Sequence, residues 1–167
     1  AVSAADLSAL KGLLHIEIFS TRPGANNEGD KDHPSAEAIW DTLLTKGMAV
    51  YGVACDDFLS YGNVGPQHAW IMVKADSLSE KDIADAIRRG DFYSTTGVIL
   101  SGLKADTEEY GVAVDVGKMD ELAEGFRLHG TPVAEGEEGC RIEFVGKNGE
   151  IVKSSGWGSS SLSIGKD

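Results

Sequence analysis

Residues 49–55, AVYGVAC, form a nearly continuous apolar run of strand length that ends directly on two carboxylates, Asp56 and Asp57. A strand with one face in water alternates apolar and polar residues. A run without alternation is expected of a strand covered on both faces, as in parallel sheets and β/α barrels. In those folds ligands gather beyond the C-terminal ends of the strands, where loops converge over a rigid base. Asp56 and Asp57 stand at that end, and adjacent carboxylates there suit a hard cation. The alternative is that one of them caps a turn and the other is solvated.

The elements around this run read as α/β through residue 100. Ser3-Ala4-Ala5-Asp6 has the form of a capping box and opens a short helix over Leu7 and Leu10 that Gly12 stops. LLHIEIF at 13–19 alternates, with Leu14, Ile16 and Ile18 on one face and His15 and Glu17 on the other, so it reads as a strand. Residues 20–34 carry Pro, Gly and charge and read as a long loop, a common site of function. Ser35 caps a helix with Ala36, Ile39, Trp40, Leu43 and Leu44 at helical spacing, ending at Lys46-Gly47, and Trp40, Leu43 and Leu44 are expected against the sheet. After a loop over 56–69, Trp70–Val73 reads as a strand. Ser79 to Asp82 then reads as a capping box, with Leu78 and Ile83 as a hydrophobic staple, on a helix that runs to Arg89 and stops at Gly90.

Beyond residue 100 the pattern turns to strands: Val98–Leu103, Gly111–Val116 and Cys140–Val145, with a turn or two of helix over Asp120–Phe126. Asn148-Gly149 is a two-residue hairpin signal, because a type I′ turn needs positive φ at both central positions. The Ser/Gly-rich stretch 154–165 suits an edge or linker. Two domains are therefore expected, 1–100 and 101–167.

Charge narrows the function. The 167 residues hold 27 acidic and 15 basic side chains, a formal net charge of −12, which repels nucleic acid and anionic membrane surfaces. No stretch approaches the ~20 apolar residues of a membrane span, and no charged-then-apolar leader is seen, so a soluble chain is expected, its compartment left open. Cys55 and Cys140 make neither a C-x-x-C pair nor a disulfide framework. No P-loop, dinucleotide motif, nucleophile elbow or zinc-ribbon spacing is present.

Several motifs fall in one register. IEIFS at 16–20, Trp40-Asp41 with Leu43-Leu44 and Gly47, Gly52-Val53-Ala54-Cys55-Asp56-Asp57, and WIMVKADSLSEKDIADAIRRGDFYSTTG at 70–97 together resemble the PHP (polymerase and histidinol phosphatase) metal-dependent hydrolases. The likeness is to the carbaryl-hydrolase-like branch, where a WD-x-LL-x-x-G helix precedes an A-x-D-D-x-H turn and an A-L-x-x-G-x-F-Y-x-S-x-G segment, and it spans roughly residues 10–100. The resemblance implies the C-terminal part of a PHP-like β/α barrel followed by a small β extension. It also implies a phosphoesterase that gathers divalent metal (Zn, Mn or Mg) to activate water. Asp57 matches the family's metal-binding aspartate. The histidine of that turn is replaced by Leu59, which has no lone pair to give, and the family's H-x-H strand has no counterpart in this sequence.

The candidate ligands are accordingly Asp57, His68 and Glu17. His68 lies just before the Trp70 strand, within reach as a replacement, and Glu17 lies on a strand that borders the site in the family. Asp56, Tyr93 and Ser94 are the candidate substrate-binding residues, the last two from the F-Y-x-S-x-G rim. With a ligand missing, the isolated chain is expected to hold metal weakly or not at all, with no more than two protein ligands meeting at Asp57. A small-molecule ester is the implied substrate. A noncatalytic binding or assembly module on the same fold is the alternative. Barrel strands without neighbours leave edges unpaired, so a homo-oligomer or a complementary N-terminal polypeptide is the expected partner.

Overall fold

The structure is a computed structural model that describes residues 2–57, 68–128, 141–156 and 158–164. It divides into two compact units, Ala1–Thr96 and Gly97–Asp167. Both mix helix with small sheets, and no closed barrel is formed among the described residues.

The first unit runs α1 (Ala4–Ser8), β1 (His15–Ser20), α2 (Ala36–Thr45), β2 (Tyr51–Cys55), β3 (Trp70–Val73), α3 (Glu80–Arg89) and β4 (Phe92–Thr95). Ser3 and Asp6 make the reciprocal capping box expected of them. β1 and β2 pair in parallel, His15 opposite Tyr51, with a bulge between Glu17 and Phe19. β3 and β4 pair antiparallel, Trp70 opposite Thr95. Ser35 caps α2 by accepting the Ala38 amide, and that helix turns Leu43 fully inward. Val50, Ala54, Ala69 and Ala86 are the other buried apolar residues of this unit among the described residues. Gly52 lets β1 come close: a Cβ there would sit 2.7 Å from the Ile18 side chain.

Several expectations in this unit are corrected. β2 is less enclosed than its apolar run leads one to expect: only Ala54 is buried and the other four residues are half-buried. Leu44 is exposed, since one residue turns a helix by about 100° and carries it off the stripe that Leu43 buries. Trp40 is half-buried rather than buried, its indole N–H donating to the Val50 carbonyl at 2.7 Å. The staple at α3 is absent, with Leu78 95% exposed. Polar bonds set the chain's entry there instead. Ser79 caps the Asp82 amide, and Ser77 takes the Asp82 carboxylate at 2.5 Å, which occupies the group a reciprocal capping box would use.

The second unit holds β5 (Leu100–Ala105), β6 (Glu109–Val114), α4 (Val116–Leu128), β7 (Arg141–Val145), β8 (Ile151–Gly156) and β9 (Ser159–Ser163). Its sheets are antiparallel, β5-β6-β9 and β7-β8. Asn148 (φ 60°) and Gly149 (φ 72°) take the two left-handed positions expected of a type I′ hairpin turn between β7 and β8. α4 is longer than the turn or two expected over 120–126, starting where the Asp115 carboxylate accepts the Lys118 amide. Of the two roles that suit the Ser/Gly-rich tail, edge and linker, it takes the edge: β9 lies against β6 with Leu162 opposite Tyr110, its ladder made by backbone groups that are indifferent to serine. Among the described residues no helix is long and apolar enough to cross a membrane.

Candidate functional site

The parallel pair carries the site at its C-terminal end. Because the Tyr51 amide donates to the Leu14 carbonyl, the alternation of a parallel ladder turns the main-chain groups of His15 and Glu17 toward the far edge of β1. The bulge after Glu17 shifts the register where β1 runs out beside Asp56 and Asp57, a position where bulges commonly re-aim side chains.

Two side chains finish the edges of this pair in place of strands. At the end of β1, the Asn27 carboxamide accepts the Ser20 amide at 2.9 Å and donates to the Ser20 carbonyl at 2.7 Å, which closes loop 20–27 on itself. At the outer edge of β2, Ser94 Oγ accepts the Ala54 amide at 3.1 Å and donates to the Gly52 carbonyl at 2.8 Å. Both satisfy backbone groups that would otherwise lose hydrogen bonds.

The two aspartates part company. Asp56 Oδ1 accepts from the amides of His68 and Ala69 at 3.0 and 2.8 Å and from the Thr21 hydroxyl at 3.1 Å. It therefore ties the start of β3 to the end of β1. Asp57 has φ 44°, a left-handed backbone uncommon outside glycine. Its carboxylate pairs with Arg22 Nη1 at 3.2 Å, both side chains well exposed. Glu17 accepts the Cys55 thiol at 2.9 Å. Burial of that thiol and its bond to the Glu17 carboxylate push the Cys55 pKa up, as expected of a filler rather than a nucleophile.

A cleft of about 450 Å³ opens here, with Glu17, Ser20, Arg22, Asn26, Asn27 and Asp57 among its lining residues. Glu17 and Asp57 thus share one cleft. Asp56 sits beside it as a strut. His68 enters the network through its backbone amide, and its half-buried ring has no bond to Asp57. Tyr93 is half-buried on β4 opposite Met72, and Ser94 is spent on β2. Leu59, His129 and Cys140 lie outside the described residues. His15 is a satisfied core group, packed near Tyr51 and Phe92 with Nε2 bonded to the Ile87 carbonyl at 2.9 Å. Among the described residues no three His, Cys, Asp or Glu side chains are grouped to hold a metal ion.

Arg22 and Asn27 are the site residues that the sequence reading did not single out. The only hint was their place in the long polar loop that follows β1. A scan against protein-family models finds no match, and searches of curated proteins and of solved structures find none either.

Proposed function

We propose that this chain is the C-terminal portion of a PHP-type, divalent-metal-dependent phosphoesterase. In this reading it supplies Asp57 as one ligand, and the remaining ligands come from polypeptide that pairs along the free edge of β1. The observation that carries the reading is Asp57: a non-glycine residue in left-handed backbone, at the C-terminal end of a parallel strand, with an exposed carboxylate on a polar cleft. Backbone held in such a region concentrates at functional sites. The same residue matches the aspartate of the family's A-x-D-D-x-H turn.

The described residues fit a divalent ion in part. Asp57 is accessible and Glu17 lines the same cleft, whereas Asp56 Oδ1 already accepts three hydrogen bonds. A bound ion lowers the pKa of a coordinated water and offsets charge developing on an attacked ester. What this chain contributes is position. Asp56 anchors the loop ends, Asn27 shapes the rim, and Arg22 sets a cation beside Asp57. No strand covers the far edge of β1 among the described residues, and a net charge of −12 on each copy disfavours a second copy as the cover.

The second reading, a noncatalytic module, is favoured by one observation: Asp57 and Glu17 already have internal partners in Arg22 and Cys55. The two separate by metal analysis and by hydrolysis of a generic phosphodiester with added manganese or zinc, using the chain together with the complementary polypeptide that this reading requires. Turnover that Asp57→Asn abolishes is expected. Less than one equivalent of metal with no turnover favours the module.

A further inference from the structure

We infer that Arg22 is the anion-holding residue of this cleft, and that its ion pair with Asp57 is a resting contact exchanged for a phosphate group of the substrate. The choice of phosphate rests on the phosphoesterase reading; the role of Arg22 rests on geometry. Three charged side chains line the cleft, Glu17, Asp57 and Arg22, and Arg22 is the cation among them.

The base of Arg22 is tethered and its head is exposed. Its amide donates to Ser20 Oγ at 3.3 Å, and Ser20 is itself clamped by Asn27. The preceding residue, Thr21, bonds the Cys55 carbonyl through its amide and Asp56 through its hydroxyl. The Arg22 guanidinium, by contrast, reaches Asp57 through a single contact of 3.2 Å, and its side chain is 57% exposed. A guanidinium forks onto two oxygens of a phosphate, which gives a stronger contact than one exposed ion pair. A tethered base with an exposed, singly paired head is the arrangement that lets an arginine turn from a resident carboxylate to an incoming anion. It also makes an anionic ester, rather than a neutral one, the class of substrate.

Inorganic phosphate is the probe, titrated into the metal-free chain at low salt and followed by amide chemical shifts around Ser20–Asn27. Asp57→Asn removes the competing carboxylate, and asparagine tolerates left-handed backbone, so the variant keeps the turn. It should bind phosphate about two- to fivefold more tightly than the parent, the worth of an exposed ion pair. Arg22→Gln should weaken binding about tenfold or more, the scale of a charge-assisted contact, and the double variant should bind as weakly as Arg22→Gln. Equal phosphate affinity in all four proteins overturns the inference, as does a shift pattern centred away from the cleft. Neither outcome touches the phosphoesterase reading, which falls only if manganese fails to bind or to support turnover. Conversely, the expected phosphate series in a protein that never binds metal leaves Arg22 as an anion site and removes the enzyme.

Discussion

The two units solve the problem of covering strands in different ways. Five of the six buried apolar residues, Leu43, Val50, Ala54, Ala69 and Ala86, lie in residues 1–96, where helices accompany a parallel pair. The unit from 97 to 167 contributes Ile142 alone among the described residues, and it leaves Leu103, Tyr110, Val145, Ile151 and Val152 more than half or about half exposed. The antiparallel β5-β6 and β7-β8 ladders close by local hairpins and satisfy their own backbone, so they form without a dense core. A parallel pair has no such local route and depends on what packs over it. The difference teaches where precision is kept: the candidate site stands on the packed unit, with side chains used as substitutes for missing strands.

That contrast can be broken most forcefully at Leu43. Leu43→Ala should destabilise the first unit by about 2–5 kcal/mol through lost transfer energy and a cavity. Leu103→Ala, on a side chain 54% exposed, should move stability by no more than about 0.5 kcal/mol. Urea unfolding followed by Trp40 and Trp70 emission in a Trp157→Phe background measures the first, and circular dichroism the second. Comparable losses at both positions would contradict the contrast.

The substitution Ser94→Ala comes next. It strands the Ala54 amide and the Gly52 carbonyl, and should cost about 1–3 kcal/mol while leaving the second unit's melting unchanged. In that second unit the hairpin is the sensitive point. Gly149→Ala places a Cβ in left-handed backbone and should cost roughly 1–2 kcal/mol, read as faster amide exchange in β7 and β8 than in β5 and β6.

The smallest effect concerns pH. Burial and the Glu17 carboxylate raise the Cys55 pKa, so the folded state favours the protonated thiol. The stability this contributes is present below the ordinary thiol range and is lost as pH rises through the raised value. In a Cys140→Ser background, alkylation of Cys55 at pH 8 should be slower than that of a free thiol, and Glu17→Gln should speed it. An unchanged rate would remove the Glu17 contact from the account.

Local chemistry was legible in the sequence wherever one residue decides its own neighbourhood. Ser3, Ser35 and Ser79 cap the helices expected of them, Gly90 ends α3 in left-handed backbone, and Asn148-Gly149 makes its turn. Position relative to other elements was less so. Leu78 and Leu44 carry the apolar chemistry of buried residues, yet polar caps and helix phase put them in water. Residues 159–163 form an edge strand, one of the two roles their Ser/Gly-rich composition suits, but which strand they pair with, β6, composition does not reveal. At the site, Asp56 and Asp57 were visible as a pair at a strand end. Their opposite roles depend on partners 35 and 12 residues away in sequence, Thr21 and Arg22 on one side and the His68 amide on the other. Asn27 and Ser94 act on backbone groups, a role that leaves no pattern in side-chain spacing.

The central claim is that Asp57 is a divalent-metal ligand at the end of β2. Titrating manganese to millimolar concentration into the nitrogen-15-labelled chain supplied with the complementary polypeptide that this reading requires, and following paramagnetic broadening of its amide signals, tests it directly. Broadening should centre on Asp57, Arg22 and Glu17, strengthen in Arg22→Gln as the competing cation is removed, and disappear in Asp57→Asn. Broadening that survives Asp57→Asn, or that never appears around this cleft, would contradict it.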